Sequence, residues 1–443
     1  MARRNECGIL LVGCGTVGGA TAQILCQQDR NPAERVGTGL PLRAIVDVDF
    51  AHARALGLPE ALFADDFAAA LARPDVQIVV ELVGGTTVAK DIVEAALRAG
   101  KHVVTANKAL LAHHGAGLWA LARDNGVCIA FEASCAGAIP IVSALTGELV
   151  ADRVEAIYGI VNGTCNYILT AMSEDGRTYA EALAVAQQRG LAEADPTLDV
   201  AGTDSAHKLA ILAALAVGRR VDFQKIYVEG IDQLQLQDIR YGRELGYVIK
   251  LLAIARRQED ALSLRVHPAF ISTRHPLAWV SGPFNAISVY AENSGHTMYY
   301  GRGAGGAPTA AAVVGDIVSV ALGNAQRNFQ ELAIWPDRCE QADQLDIEAV
   351  RCRYYLRMQV ADQPGVLASI ARIFGDRDMS ISSVLQHEPT GDVEAGGVPV
   401  VVTTHRALEG NVREALKQVD RLDAIKAASV CIRMVEEHPE SRG

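Results

Sequence analysis

The chain has 443 residues, half of them hydrophobic, which is too long for one ordinary domain and enough for two or three cores. Its 52 acidic residues outnumber the 41 basic ones, and the net charge of −11 comes without a Lys/Arg-rich run. This balance argues against nucleic acid and anionic membranes as partners. No stretch approaches the roughly 18 apolar residues of a membrane span. Nine scattered cysteines without a C-x-x-C pair favour a cytoplasmic protein.

The first third of the sequence alternates short β-branched runs with Ala-rich amphipathic segments. This alternation predicts an α/β dinucleotide-binding domain with a Rossmann-type doubly wound parallel sheet over residues 1–136. The predicted strands are residues 8–12, 42–47, 78–82, 102–105 and 128–131. The predicted helices are residues 17–28, 88–99 and 110–124.

The middle of the chain has a different pattern. It runs from a helix through the strand-like VEAIYGIVNG to several helices, and then to strand-like runs at 262–270 and 286–291. We expect an α+β substrate-binding, catalytic and dimerisation domain over residues 137–308. A helix at 309–322 is expected to return to the first domain, which residues 309–330 would complete, and a polar linker is predicted at 333–350.

The C-terminal segment YYLRMQVADQPGVLASIARIFGDRDMSISSVLQ predicts strand, turn, amphipathic helix and strand. Segments 398–404, 408–419 and 428–434 complete a ferredoxin-like βαββαβ order over residues 351–435. This order resembles an ACT domain, a small module that commonly binds amino acids at subunit interfaces. The alternative is a module that serves dimerisation alone. The candidate effector-binding residues are Asp362, Pro364, Gly365, Val366, Leu367 and Gln386.

A glycine fingerprint follows the first predicted strand and opens a helix. It reads Gly13-Cys14-Gly15-Thr16-Val17-Gly18. Gly13 permits a tight turn, Gly15 lets the backbone approach a pyrophosphate, and Gly18 allows the helix to pack on the strand. The helix N-terminus favours the anion. The pattern predicts a dinucleotide site, and a Gly-rich turn without function is the alternative.

Two further segments lie where an open α/β sheet binds its ligand. Asp47 ends the second strand, where a carboxylate accepts from a ribose 2′-hydroxyl and repels a 2′-phosphate, so it favours NAD over NADP. Alternatively, Asp47 caps the next helix. Thr105 and Lys108 belong to TANK, at the carboxyl end of the fourth strand. In isolation, a lysine at a helix start is usually solvated.

Residues 186–208, AQQRGLAEADPTLDVAGTDSAHK, are the most informative part of the sequence. They place three carboxylates, Glu193, Asp199 and Asp204, near a Gly/Pro-broken loop that leads into a helix. Asp204 and Lys208 share a face of that helix, which predicts an acid–base centre. Spacing alone also permits an exposed ion pair of little energetic consequence.

The pattern A-x3-G-[aliphatic]-A-x2-D-P-x2-D-V-x-G-x-D-x3-K in this stretch resembles the signature of homoserine dehydrogenases. TANK and NGTCNYIL resemble two further motifs of that family. The family reduces L-aspartate 4-semialdehyde to L-homoserine with NAD(P)H, on the route to threonine, methionine and isoleucine. The resemblance implies that Lys208 donates the proton and that Lys108 lies between nicotinamide and substrate. It also implies that Glu193 and Asp204 bind the substrate and that Gly190 lies near the cofactor. Gly163 and Thr164, at a predicted helix start, offer donors to the substrate carboxylate, and Asp199 is a further candidate for substrate binding.

Two loops extend the resemblance. FEASCAGAIP, over residues 131–140, resembles the family's monovalent-cation loop. It implies sodium or potassium held by Glu132 and by the main-chain carbonyls of Cys135, Gly137 and Ile139. YGRGAGGAPT, over residues 300–309, resembles a loop that closes on the nicotinamide, which implies cofactor contacts at Gly303 and Gly305. The histidines show no metal-binding spacing.

The resemblance to threonine-inhibited members implies L-threonine as the effector of the ACT module and a homodimer or homotetramer as the assembly. Two other interpretations remain open from the sequence. One is a non-catalytic amino-acid sensor with a redox-reporting first domain. The other is an ACT-bearing dehydrogenase of 2-hydroxy acids or prephenate, whose Arg/His/Glu set is not found here.

Overall fold

The computed structural model describes residues 6–27, 29–387 and 397–435. The chain forms two compact units, each assembled from three segments. Within the described residues, the first unit takes its parts from Met1–Gly163, Asp204–Gln224 and Phe284–Ala342. The second takes its parts from Thr164–Thr203, Lys225–Pro283 and Asp343–Gly443.

The strands of the described residues are, in chain order, β1 (Ile9–Val12), β2 (Leu42–Val46), β3 (Phe63–Ala64), β4 (Ile78–Glu81), β5 (His102–Thr105), β6 (Ile129–Ala130), β7 (Val154–Ile160), β8 (Tyr227–Val228), β9 (Tyr247–Gln258), β10 (Ala261–Ser272), β11 (Phe284–Ala291), β12 (Gly295–Arg302), β13 (Arg351–Val360), β14 (Ile381–Leu385), β15 (Val398–Thr404), β16 (Ala407–Leu408) and β17 (Ile425–Val435).

The α-helices of the same residues are α1 (Thr16–Cys26), α2 (Ala33–Val36), α3 (Ala51–Ala55), α4 (Phe67–Leu71), α5 (Val88–Arg98), α6 (Lys108–Asp124), α7 (Ile141–Thr146), α8 (Gly163–Glu174), α9 (Tyr179–Gln188), α10 (Thr197–Val200), α11 (Thr203–Val217), α12 (Leu236–Glu244), α13 (Gly306–Ala321), α14 (Asn324–Glu331), α15 (Val366–Gly375) and α16 (Glu409–Val419).

The first unit is built on a parallel sheet with the order β3-β2-β1-β4-β5-β6. Strands β1 and β4 are buried along their whole length, as expected for a sheet covered on both faces. The predicted Rossmann-type sheet is therefore confirmed. Helix α13 packs against α1 and β5, and β7, β11 and β12 form an antiparallel sheet in the same unit.

The predicted elements agree with the structure apart from their ends and one strand. The helix predicted at 17–28 is α1, which ends at Cys26, and Gln28 lies outside the described residues. The expectation of helices before residue 262 is wrong for Tyr247–Gln258, which is strand β9. This run is apolar on both faces and pairs antiparallel with β10 through a hairpin turn in which Glu259 has φ 56°. Long-range pairing decides such a segment, because its apolar residues lack helical periodicity.

The second unit contains a sheet with the order β9-β10-β17-β13-β15-β14. Its C-terminal part has the predicted βαββαβ order, with α15 and α16 packed on a core that includes Tyr354, Leu356, Ile370, Phe374 and Val412. Strand β17 of this module pairs in parallel with β10. The C-terminal module is therefore joined to β10 by main-chain hydrogen bonds as well as by the covalent chain.

Among the described residues, no single helix is long and apolar enough to cross a membrane. The consecutive helices α13 and α14 meet the length and hydropathy requirements only together, and they are bent by 77°.

Two histidines link the helices α6 and α11 in the first unit. The Nε2 atoms of His113 and His207 are 3.3 Å apart, so one ring donates to the other. Phe223 stacks on His207 at 4.7 Å and meets His113 edge-on at 4.8 Å. Burial and the neighbouring His113 lower the pKa of His207 to about 4. Because α6 begins at Lys108 and Lys208 follows His207, this contact fixes the two lysine-bearing helix starts relative to each other.

The depressed pKa of His207 predicts a loss of stability in mild acid. Between pH 6.5, near the ordinary pKa of histidine, and about pH 4, the His207 imidazole is protonated in the unfolded chain but not in the folded one. The free energy of unfolding therefore falls as pH falls through this window. In His207→Gln, the unfolding temperature should depend less on pH across this window. Thermal unfolding at several pH values tests this, with exposed His405→Gln as the control. Equal pH slopes for wild type and His207→Gln would contradict the assignment.

Candidate active site

Asp204, in the first turn of α11, is the centre of a buried charge cluster in the first unit. Its Oδ2 atom lies 2.7 Å from Lys208 Nζ and accepts from Asn162 Nδ2 at 2.8 Å. Its Oδ1 atom lies 3.1 Å from Lys108 Nζ. Lys208 also donates to the carbonyl of Val161 at 2.6 Å. The structure thus brings together residues from the start of α6, the segment after β7, and α11.

The burial of this cluster decides between two interpretations of the sequence. Asp204 and Lys208 are only 7% and 8% exposed, so they do not form the exposed ion pair that spacing alone permits. Burial by itself raises the pKa of Asp204, but Lys208 and Lys108, with hydrogen bonds from Lys208 and Asn162, lower it overall. Asp204 therefore stays ionised. The Lys108 side chain is 38% exposed, so it marks the open side of the cluster.

The hydrogen bonds of Lys208 leave one donor unused. Its ammonium carries three hydrogens. Within the described part of the chain, it donates to Asp204 and to Val161, and to no other acceptor. The third N–H is therefore available to an oxygen atom of a bound substrate.

Two neighbouring strand ends support the cluster from the sheet. Thr105, the last residue of β5, donates its hydroxyl to Glu81 Oε2 at 2.6 Å. The other oxygen of Glu81 accepts from the amides of Val83 and Gly84, and the residue is fully buried. Asn107 then caps α6 by accepting from the Leu110 amide. Sequence reasoning missed Glu81, although a carboxylate within the predicted strand 78–82 was a signal for it.

The fingerprint loop has the geometry that its glycines predict. Gly13 has φ 91°, and a Cβ there would lie 2.7 Å from the carbonyl group of Leu82. A Cβ on Gly18 would lie 2.0 Å from the Gly13 oxygen. At Gly15, by contrast, a Cβ would meet nothing within 4 Å, and no side chain caps the start of α1. The open space before uncapped helix amides fits a pyrophosphate.

Asp47 contacts the fingerprint loop directly. Its Oδ2 atom accepts from the Cys14 amide at 2.5 Å, and its Oδ1 atom accepts from the Val48 amide at 2.6 Å. The alternative that Asp47 caps the next helix is wrong, because Asp49 accepts from the Ala51 amide at the start of α3. Asp47 therefore holds the loop and the end of β2 together.

The glycine-rich loop before α13 lies between the fingerprint and the predicted cation loop. A Cβ on Gly306 would lie 3.1 Å from Thr16 Cγ2. The backbone of Gly303 is so close to Gly137 that a Cβ on Gly137 would lie 2.6 Å from the Gly303 carbonyl group. Gly305 has φ 118°, which a side chain would oppose. Gly306 therefore packs against the fingerprint, whereas Gly303 packs against the predicted cation loop, and the cofactor contacts of Gly303 and Gly305 remain predictions.

The predicted cation loop has an unusual backbone. Ala136 and Gly137 follow each other in the left-handed region with φ of 58° and 57°. Such a conformation is costly for Ala136 and is typical of functional sites. The Glu132 carboxylate accepts from the amides of Val142 and Ser143 at the start of α7. Among the described residues, no group of three His, Cys, Asp or Glu side chains could hold a metal ion.

The carbonyls of this loop offer unused acceptor capacity. Within the described residues, the carbonyls of Cys135 and Gly137 accept no hydrogen bond. Those of Glu132 and Ile139 each accept one, from Cys135 and Ile141. Since a carbonyl oxygen has two lone pairs, all four can still bind a cation. The residues present therefore fit a small cation held mainly by main-chain oxygens.

Other predicted substrate and cofactor residues lie in the second unit. The Glu193 side chain is exposed, and the structure shows no hydrogen-bond partner for its carboxylate among the described residues. Thr164 donates its hydroxyl to the Leu191 carbonyl at 2.7 Å. Gly190 ends α9 with φ 68°, and Asp199 lies in α10. Their participation in a site with Asp204 remains a prediction.

Comparison with known proteins identifies the parts of the chain. The family model for the homoserine dehydrogenase domain matches residues 140–318, and that for the homoserine dehydrogenase NAD binding domain matches residues 13–132. An ACT domain model matches residues 354–421. The ACT assignment of the C-terminal module is thereby confirmed.

The homoserine dehydrogenase of Pseudomonas aeruginosa is 42% identical over 427 residues, covering 96% of this chain and 98% of that protein. That of Neisseria gonorrhoeae is 40% identical, covering 97% and 98%. Among solved structures, a homoserine dehydrogenase from Thiobacillus denitrificans superposes with a TM-score of 0.91 at 41% identity, covering 98% and 99%. A hyperthermophilic archaeal homoserine dehydrogenase in complex with NADPH has a TM-score of 0.60 at 26% identity, covering 72% and 98%. The chain therefore belongs to the homoserine dehydrogenase family of NAD(P)-dependent oxidoreductases.

Proposed function

We propose that the chain reduces L-aspartate 4-semialdehyde to L-homoserine, reversibly, on the route to threonine, methionine and isoleucine. The observation that carries the proposal is the buried cluster of Asp204 with Lys208 and Lys108. Family membership sets aside the 2-hydroxy-acid and prephenate dehydrogenases. A non-catalytic sensor would not require a lysine with a spare donor beside a buried carboxylate.

In this proposal, Lys208 transfers the proton. A bound dihydronicotinamide would supply a hydride, so that the aldehyde carbon becomes a CH₂ group while its oxygen takes up a proton. The free N–H of Lys208 donates to that oxygen, and the neutral amine formed regains a proton from solvent. Asp204 holds the Nζ atom in place, and Lys108 lies towards the open side. In the reverse direction, the amine of Lys208 accepts the hydroxyl proton.

The ligands that support this reaction are proposals as well. Glu193 and Asp204 would bind the substrate ammonium, and the start of α8 at Gly163 and Thr164 would bind its carboxylate. Asp199 is proposed as a further substrate-binding residue. Asp47 favours NAD, because its charge opposes a 2′-phosphate. We also propose a sodium or potassium ion held by Glu132 and by the main-chain carbonyls of Cys135, Gly137 and Ile139. Nine free thiols, all in described residues, support a cytoplasmic location.

The ACT module is proposed to bind L-threonine and to inhibit the enzyme. Gly365 has φ 88° and precedes α15. The Val366 amide donates to the Gln363 carbonyl of the turn at 3.4 Å, whereas the Leu367 amide has no main-chain acceptor among the described residues. Asp362 and Pro364 are exposed beside them, and Gln386 is exposed after β14. Helix amides suit the carboxylate of an amino acid, and Asp362 suits its ammonium. The proposed assembly is a homodimer or homotetramer. Threonine would inhibit it by binding one arrangement of the domains or subunits more tightly than another.

Replacing Lys208 tests the proton-transfer role. Lys208→Met keeps the aliphatic stem but removes the donor, so kcat should fall by about 10²–10⁴. The kcat of Lys208→Arg should be low as well, because a guanidinium hardly releases a proton. With deuterated reduced cofactor, Lys208→Met should also show a larger isotope effect, because chemistry becomes rate-limiting. Lys90→Ala, which breaks a partly exposed i,i+4 pair with Glu94, is the control. A folded Lys208→Met enzyme with near-normal turnover would exclude the role.

The cofactor preference is tested at Asp47. We expect kcat/KM for NADH to exceed that for NADPH, and Asp47→Asn to narrow the difference by removing the charge. Asparagine keeps an oxygen for the Cys14 amide, so the loop should stay in place. Asp49→Asn is the matched control, since Asp49 contacts the start of α3. A wild-type preference for NADPH would show that a residue other than Asp47 determines which ribose 2′ substituent is bound.

Threonine binding is tested with a point variant of the full chain, because deleting the module would leave β10 without its partner β17. Asp362→Ala should weaken threonine binding by about tenfold or more, the loss expected for a charge-assisted hydrogen bond. Isothermal titration calorimetry measures the threonine affinity, and steady-state kinetics measure the inhibition. Asp376→Ala, at the other end of α15, should bind threonine as the wild type does. No threonine binding by the wild type would refute the regulatory proposal.

A further inference from the structure

Asn285, the second residue of β11, is a buried amide without a partner. Its side chain is only 1% exposed, and neither Oδ1 nor Nδ2 has a hydrogen-bond partner among the described residues. Buried amides are nearly always hydrogen-bonded, and leaving one unpaired costs free energy. Such a group therefore indicates a bound ligand that supplies the missing partner of the amide.

The surroundings of Asn285 show which ligand. A Cβ on Gly303 would lie 1.8 Å from Asn285 Nδ2 and 2.6 Å from its Oδ1, so the amide lies directly against the Gly303 backbone. The Gly303 carbonyl group in turn lies against Gly137, as described above. The Ala138 amide donates to the Arg302 carbonyl at 3.2 Å. The unpaired amide and the cation loop thus pack on the same short segment of backbone.

The sheet register agrees with this placement. Asn285 pairs with Gly301 of β12, and a Cβ on Gly301 would lie 3.2 Å from the Ile139 side chain. Directly opposed residues of two antiparallel strands present the same face of the sheet. Asn285 is therefore on the face that covers the cation loop.

We propose that Asn285 contributes its side-chain oxygen as a further ligand of the monovalent cation at loop 132–139. The inference rests on the proposed cation site and adds a side-chain ligand to its main-chain carbonyls. Neutral carbonyl and amide oxygens are the ligands that hard alkali cations take in proteins. An uncharged set of this kind suits a monovalent ion, because a divalent ion in such a buried site would lack compensating charge.

The test measures cation binding by the full-length protein, independently of turnover. The unfolding temperature is followed while sodium or potassium chloride replaces choline chloride at constant ionic strength. A cation that binds the folded chain raises the unfolding temperature in a saturable way. Asn285→Leu should increase the half-saturating concentration by about tenfold or more, the change that about 1.4 kcal/mol of lost binding produces. Asn285→Asp should decrease it, because the oxygen then carries charge.

Ser288→Ala is the matched control. Ser288 lies on the same strand, is fully buried and also has an unpartnered side-chain oxygen, but an odd spacing from Asn285 puts it on the other face of the sheet. The half-saturating cation concentration of the Ser288→Ala variant should equal that of the wild type. If Asn285→Leu leaves this concentration unchanged, or if Asn285→Asp raises it, the inference is overturned and the cation site stands. If the wild type shows no saturable stabilisation by either ion, the cation site fails, and the inference with it.

Discussion

Asp204 is a carboxylate removed from water and held between two ammonium groups, and the candidate site is arranged around it. A buried charge is tolerable only when it is paired, and removing one partner typically costs about 3–5 kcal/mol. Asp204 meets this requirement with Lys208 on its own helix, Lys108 at the start of α6, and the amide of Asn162. The same contacts that neutralise Asp204 fix the Nζ atom of Lys208, so stability and the proposed proton transfer depend on one set of bonds.

The fold of the first unit delivers these groups from distant positions in the chain. The carboxyl end of β5 leads through the Asn107 cap into Lys108, and Glu81 at the neighbouring strand end holds Thr105. The His113–His207 contact then sets the distance between α6 and α11. On the cofactor side, close backbone approaches at Gly13, Gly18, Gly137 and Gly306 pack three loops together. At Gly13, Gly18 and Gly137 a Cβ would lie within 3 Å of main-chain atoms, which explains why these positions are glycine.

Much of this could be predicted from the sequence, where local chemistry decides the structure. Hydrophobic alternation identified the parallel sheet, and the i,i+4 spacing placed Asp204 and Lys208 on one face. The sequence could not show that this pair is buried, nor that Lys108 reaches the same carboxylate, because both depend on the packing of α6 against α11. Strand β9 was missed since its pairing with β10, not its periodicity, determines it. Asn285 carries no local signal, as its environment is made by Gly303 and Gly137.

In the proposed reaction, the Asp204 cluster protonates a substrate oxygen while a nicotinamide reduces the adjoining carbon. The most direct measurement follows oxidation of NADH or NADPH by the purified chain in the presence of L-aspartate 4-semialdehyde, and identifies the product. One homoserine should form for each reduced nicotinamide consumed, and no oxidation should occur when semialdehyde is omitted. Failure of the folded protein to oxidise either cofactor in the presence of semialdehyde would contradict the proposed reaction.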